Sequence, residues 1–279
     1  MINYIKYELY RIRKNKGFYI ILIALFIFSA AMPILYKSCR STIIKSGEAL
    51  YDEAEMDNSL IPMFHGKWYF EDFSPDMTDF VAESIAHRLP LIAFLIFMIM
   101  LIGSEFTSGY IKSVITNTRK WQIATAHFII GVFVAFLFLL VQIVSGIVSY
   151  KIVYPDGAVR NISHFFELIG LEFLLYVAYI TLLQVFIYLM MSPFLSTILA
   201  VIEGVSGSAI IAMFANIMIQ EYFGAKHFTL DKYTPVSNIL LAGSHIGTSQ
   251  MTVAAVSGLV VLIVCYILNI VILSKREIK

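Results

Sequence analysis

Long apolar runs alternate along this chain with shorter stretches rich in charge. Phe18 to Tyr36 carries no charge and is long enough to cross a bilayer, since about 20 apolar residues span a hydrocarbon core of roughly 30 Å. Leu89 to Gly103 is shorter and extends backward through Ser84, Ile85 and Ala86, with Arg88 at the interface. Ile123 to Tyr150 crosses with length to spare, which implies tilt. Phe173 to Met218 is interrupted only by Glu203 and by "MMSPFLS". As one helix it would run roughly 70 Å at 1.5 Å per residue. Ser192-Pro193 is the natural break, because serine caps a helix and proline suits its first turn. Met251 to Ser274 is the last run. The pattern predicts an all-α integral membrane protein with six transmembrane helices in one domain.

Between the runs, two polar stretches read as helices. Residues 1–16 place Ile2, Ile5, Leu9 and Ile12 at spacings of 3, 4 and 3, one face of a helix, while Lys6, Arg11, Arg13, Lys14 and Lys16 crowd the rest. A basic amphipathic helix before a span lies in the membrane surface against anionic headgroups. The segment 104–122 has the same character. Phe106, Tyr110, Val114 and Thr118 recur at i+4 steps, joined by Ile111 and Ile115, and Gly109 permits a bend. Its apolar face fits a membrane or a partner, and Lys112, Arg119 and Lys120 are available to acidic groups. The long segment 37–88 carries ten acidic residues against five basic ones. Residues 220–251 are mixed, with apolar patches such as Ile239, Leu240 and Leu241 that are too short to span; they read as a re-entrant or irregular segment.

Charge sets the orientation. Six spans put both termini on one side with 104–122 and 192–195, and that side holds 11 of the 20 Lys and Arg in 45 residues. The opposite side holds 9 in 99. The positive-inside rule makes the first side cytoplasmic and 37–88 and 220–251 external. Composition agrees: 59% of residues are hydrophobic and 14% charged, and the net charge of +1 gives no signal for nucleic acid. The N-terminal run is too long for a signal-peptide core and continues past Ala31, so it is expected to be a retained span. Cys39 and Cys265 fall in separate segments and do not read as a disulfide pair.

Candidate chemistry is sparse. Glu203 sits nine residues past Phe194, roughly 13 Å into its helix. It reads as the only acid within an apolar span, and an intramembrane carboxylate marks a translocation path or a structural hydrogen bond. Glu167 and Glu172 are expected to be solvated near the outer surface. Gly204, Gly207 and Ser208 allow close helix packing. "GVSG" also matches a serine-nucleophile pattern, but no positioned base accompanies it. His127, alone near the start of its span, reads as an interfacial polar residue. No metal-ligand spacing, catalytic constellation or phosphate-binding loop is present, so an ATP-dependent protein of this kind would rely on another chain to bind nucleotide.

The basic leading helix, the six spans, and the Glu-x-x-x-Gly-aromatic-apolar-Lys pattern from Glu105 to Lys112 together resemble the permease subunit of ABC-2 (type V exporter-like) ATP-binding cassette transporters. The bacterial branch linked to lantibiotic and bacitracin self-protection is the nearest in character. The resemblance covers the whole chain as architecture and is sharp only from Glu105 to Trp121. It implies that Glu105, Phe106, Gly109, Tyr110, Ile111, Lys112, Val114, Arg119 and Trp121 form the segment that couples to the ATPase. Tyr110 stands where the family often has threonine, and His127 stands near a position where lysine is common. The resemblance further implies two ATPase subunits that bind ATP and magnesium, a second permease half (identical or a paralogue), and a bacterial cytoplasmic membrane. The cargo it implies is an amphipathic peptide or lipid-like compound. The competing classes are a secondary transporter or channel, and a non-transporting sensor or scaffold for a cationic peptide; no internal repeat supports the former.

Overall fold

The computed structural model describes residues 1–31, 76–85, 88–115, 118–155, 162–190 and 246–275, with a few single positions between them. Glu203, Gly204, Gly207 and Ser208, Pro193 of the Ser192-Pro193 break, most of 37–88 and most of 220–251 lie outside these residues. The described residues are helical. They form α1 (Ile2–Lys14), α2 (Lys16–Ala31), α3 (Met77–Ile85), α4 (Arg88–Thr107), α5 (Tyr110–Ile115), α6 (Lys120–Val153), α7 (Ile162–Met190) and α8 (Thr248–Lys275).

Three of these helices, α6, α7 and α8, are long and apolar enough to cross a membrane. They match the third, fourth and sixth predicted spans. The apolar part of α4 is shorter, Ala93–Thr107, and α1 and α2 form a pair bent by 63°. Asn15 makes that corner: its backbone ends α1 on the Ile12 carbonyl, and its Oδ1 accepts the Gly17 N–H at 2.9 Å, capping α2. The outward residues of α6 include Ile129, Phe133, Phe136, Leu140 and Val144, all open and spaced by three and four. An open stripe of that kind is what lipid contact requires.

Helix α7 is the most enclosed of the three long helices, with α8 packed along it and α6 beside both. Glycine sets two of these approaches. A Cβ on Gly146 of α6 would lie 2.9 Å from the Ser84 hydroxyl of α3, and one on Gly258 of α8 would lie 3.1 Å from Leu175 of α7. Close backbone approach through small residues therefore occurs at positions other than the Gly204–Ser208 stretch singled out from sequence.

Two corrections to the sequence reading follow. First, α7 begins at Ile162, well before Phe173, and Glu172 falls inside it at 2% exposure. Glu172 is not solvated, and Glu203 is not the only acid in an apolar helix. Helix packing covers Glu172 although charge patterning places it at a boundary. Second, the buried face of α1 is Tyr4, Glu8 and Ile12, while Ile2 is 65% exposed and Leu9 is open. The face that turns inward is chosen by hydrogen bonds, leaving Ile2 and Leu9 free for a lipid surface.

Candidate functional site

One end of the bundle gathers four parts of the chain that are distant in sequence. Helix α1 lies there across the end of α4, the start of α6 and the end of α7, and the Lys120 ammonium donates to the Ser274 carbonyl of α8 at 3.3 Å. At the centre is Glu105, 1% exposed, two residues before α4 ends.

Its carboxylate is surrounded by donors. The Tyr4 hydroxyl donates to Glu105 Oε2 at 2.5 Å, and His127 Nε2 lies 3.0 Å from the same oxygen. Arg11 Nη1 is 2.9 Å from Oε1, and Arg11 Nη2 donates to the Leu101 carbonyl. A buried carboxylate is tolerated only with such compensation. His127 passes the network inward. Its Nδ1 lies 2.7 Å from the Tyr188 hydroxyl of α7, so a ring that donates from Nε2 to Glu105 accepts from Tyr188. The His127 carbonyl accepts from Gln184 Nε2 at 3.0 Å, and the Asn269 amide of α8 donates to the Thr181 carbonyl at 2.9 Å, one turn from Gln184. The chain of polar contacts thus runs from α1 through α4 and α6 to α7, and α8 joins α7 beside it.

Glu8 is the second acid in this cluster. It is 1% exposed and its Oε2 is 3.0 Å from Arg11 Nη2. Burial and the Glu105 carboxylate push the Glu8 carboxyl up to about 9, against the opposing pull of Arg11. A neutral Glu8 leaves one negative charge on Glu105 to balance one positive charge on Arg11. Burial and the Glu105 and Glu8 carboxyls also raise the Tyr4 hydroxyl above its usual range, which keeps it a donor.

The coupling segment predicted from sequence divides in two. Glu105 and Phe106 belong to α4. Gly109 then turns the chain with φ of 70°, a left-handed conformation that glycine adopts without strain, and α5 follows. Ile111 and Val114 face inward and anchor α5 to the bundle, and Phe106 meets the Tyr188 ring edge-on with centroids 6.0 Å apart. Tyr110 stacks on Tyr7 of α1 at 4.8 Å, and partial burial together with Tyr7 pushes its hydroxyl up to about 12. Lys112, Arg119 and Trp121 remain open. Of the basic residues of 1–16, Arg11 turns inward, whereas Lys6, Arg13, Lys14 and Lys16 are exposed. Sequence reasoning missed Tyr4, Glu8, Tyr188 and Gln184, and it took His127, which is 1% exposed and bonded on both ring nitrogens, for a lone interfacial residue. The available signal was a set of polar residues inside apolar helices, each needing a partner.

No group of three or more His, Cys, Asp or Glu among the described residues is placed to hold a metal ion. No protein-family model matches the chain, and no curated protein matches it.

Proposed function

We propose that this chain is the membrane-spanning permease subunit of an ABC-2 type transporter, driven by ATP hydrolysis on separate ATPase subunits. The observation that carries the reading is the Glu105 network. It fastens the amphipathic helix α1 and the α4–α5 turn to the core of the bundle, beside a surface that offers Lys112, Arg119 and Trp121. A partner that pushes on α1 and α5 would act on α6 and α7 through Glu105, His127 and Tyr188, because buried side chains linked by short hydrogen bonds move together. Alternating access then requires two bundle arrangements that nucleotide binding in the ATPase pair biases.

In this reading the basic end is cytoplasmic, the chain crosses the bacterial cytoplasmic membrane six times, and two permease halves pair. The cargo is an amphipathic peptide or lipid-like compound expelled from the membrane, consistent with the apolar faces the bundle opens to lipid. ATP and magnesium bind the ATPase subunits. The test is to co-purify the full chain with a candidate ATPase, weigh the intact complex, and measure ATP hydrolysis in lipid. Two ATPase and two permease chains with cargo-stimulated hydrolysis are expected. A chain that binds no ATPase yet moves solute down an ion gradient is a secondary transporter or channel. A chain that binds peptide without transport is a sensor.

A further inference from the structure

Helix α1 presents three sides, and each meets something different. Tyr4, Glu8 and Ile12 face the bundle. Tyr7 stacks on Tyr110, which puts α5 on a second side. At about 100° per residue, Ile2 and Leu9 stand roughly 140–160° round the helix from Tyr7, on a third side. Both are open, at 65% and 37% exposure. Lys6 and Arg13 are seven apart, nearly two full turns, so they lie in line along the helix and border that third side. Both are exposed. Going round α1, the order is bundle face, Leu9 and Ile2, Arg13 and Lys6, Tyr10, then Tyr7 against α5.

The exposed charge here has one sign. Helices α1, α2 and α5 contain a single acid, Glu8, and it is 1% exposed. Lys6, Arg13, Lys14, Lys16 and Lys112 are exposed. Arg13 and Lys14 lie 5.9 and 5.8 Å from the centroid of the Tyr10 ring, so two like charges crowd one ring with no exposed acid on these helices to offset them. At the corner, α1 leaves α2 at 63°, and α2 carries Ile20, Ile23 and Ile27 open at spacings of three and four. With that stripe in hydrocarbon, the corner lays α1 along the membrane surface. Ile2 and Leu9 then sit at the acyl boundary, and Lys6 and Arg13 at the level of the phosphates. An acidic protein would match the cations alone. An apolar edge joined to a row of cations matches a lipid surface, where acyl chains lie directly beneath the negative charge.

We propose that Lys6 and Arg13 bind the phosphates of anionic phospholipids while Ile2 and Leu9 rest on the acyl boundary, so that α1 is clamped between the lipid surface and the Glu105 network. Arg11 takes no part in the lipid contact, because Glu105 and Glu8 hold it on the bundle side. Lys14 stands on the Tyr7 side, toward α5. The clamp makes the docking of α1 depend on the charge of the membrane. It requires neither an ATPase nor a cargo, so it goes beyond the transporter reading, and its failure leaves that reading in place.

The experiment follows amide hydrogen exchange of α1 in the full chain, held in nanodiscs of phosphatidylcholine alone or mixed with phosphatidylglycerol. Exchange should slow by about fivefold for each cation near the anionic surface, on the order of tenfold or more in all. The gap should close as salt is raised. Lys6→Gln combined with Arg13→Gln should remove most of the gap and melt like the wild type, whereas Lys112→Gln should keep it. Glycerol phosphate added to the phosphatidylcholine discs should change nothing. A second readout is the intact mass of the chain in detergent with equal amounts of the two lipids: the wild type should retain phosphatidylglycerol in preference, and the double variant should not. Equal exchange in both lipids overturns the clamp. Equal retention overturns the headgroup site, and is the outcome for a surface that serves an acidic protein instead. A preference that survives the double substitution overturns the roles of Lys6 and Arg13, and slowing by glycerol phosphate overturns a lipid in favour of free phosphate.

Discussion

Arg11 and Glu105 stand 94 positions apart in the chain and 2.9 Å apart in the fold, one on the amphipathic helix and one at the end of α4. This pair holds α1 against the bundle. The Glu105 side chain is fully buried while that of Arg11 is 23% exposed, so the pair is a boundary one, shielded on the acidic side. Removing one member of a fully buried pair costs ~3–5 kcal/mol, and the partial exposure of Arg11 lowers the figure here. Glu105→Ala is therefore expected to destabilise the chain by ~2–4 kcal/mol and to free α1. Limited trypsin digestion in lipid reads this directly, because Arg13 and Lys14 should be cut far faster in the variant. Unchanged cleavage would mean that α1 is held by its apolar contacts alone.

Glu8 makes the docking of α1 depend on pH. Its carboxyl is raised from an ordinary 4.5 to about 9 by burial and by Glu105. A raised acid binds more protons folded than unfolded, so its contribution is fully present below about 4.5 and is lost as pH rises through about 9. Hydrogen exchange of the α1 amides, corrected for intrinsic rates, should show docking weakening over that window. Glu8→Gln keeps the shape, removes the titration and should flatten the profile. A wild-type profile as flat as that of the variant would show that Glu8 is already ionised at neutral pH.

Three of the predicted spans were legible and the site was not, for different physical reasons. Hydrophobic periodicity is local, so α6 and α8 could be found within a few residues of their ends from the runs Ile123 to Tyr150 and Met251 to Ser274. The start of α7 was misplaced because Glu167 and Glu172 look like the edge of the membrane, and only the packing of neighbouring helices covers Glu172. Gly109 was readable as a bend because glycine marks backbone freedom wherever it stands. The Glu105 network is a convergence of residues separated by 22 to 123 positions, and nothing in a local window ties Tyr4 to His127. The inward face of α1 followed the pattern only in part, since Ile5 and Ile12 pack on the core while Tyr4 and Glu8 displace Ile2 and Leu9.

Gly109→Ala isolates the turn from its surroundings. No heavy atom stands within 4 Å of a Cβ built there, so the change adds strain without a clash. The left-handed backbone at φ of 70° costs alanine ~1–2 kcal/mol. The expected result is a chain that folds with a slightly lower melting temperature and a loosened α5. Loss of the Tyr7–Tyr110 stack, read by tyrosine fluorescence or by cross-linking of cysteines placed at those positions, reports the loosening. A fully retained stack would show that Ile111 and Val114 fix α5 by themselves.

Tyr188→Phe cuts the network at its innermost link. It removes the hydroxyl that meets His127 Nδ1 but keeps the ring that packs on Phe106. A net cost of ~0.5–1.5 kcal/mol is expected, rising to ~3 if His127 is left wanting a donor. Stability in lipid should fall while α1 stays protected from trypsin, because Glu105 keeps Tyr4 and Arg11. Release of α1 in this variant would show that the two halves of the network act as one unit, and the comparison with Glu105→Ala would measure it.

Lys112→Glu and Arg119→Glu separate a docking surface from a structural one. Both side chains are exposed, and neither takes part in the Glu105 cluster. Surface changes of this kind alter stability by about 0.5 kcal/mol or less. If the surface receives an ATPase, the double variant should fold and melt like the wild type, keep α1 protected, and lose most binding to the partner. Charge reversal acts on encounter and register, so the loss should shrink as salt is raised. Glu105→Ala should give the opposite pattern, with binding weakened through a mobile α1 and little dependence on salt. Equal ATPase binding by the wild type and the double variant across the salt range would remove Lys112 and Arg119 from the interface, and with them the argument that this end of the bundle is where work enters.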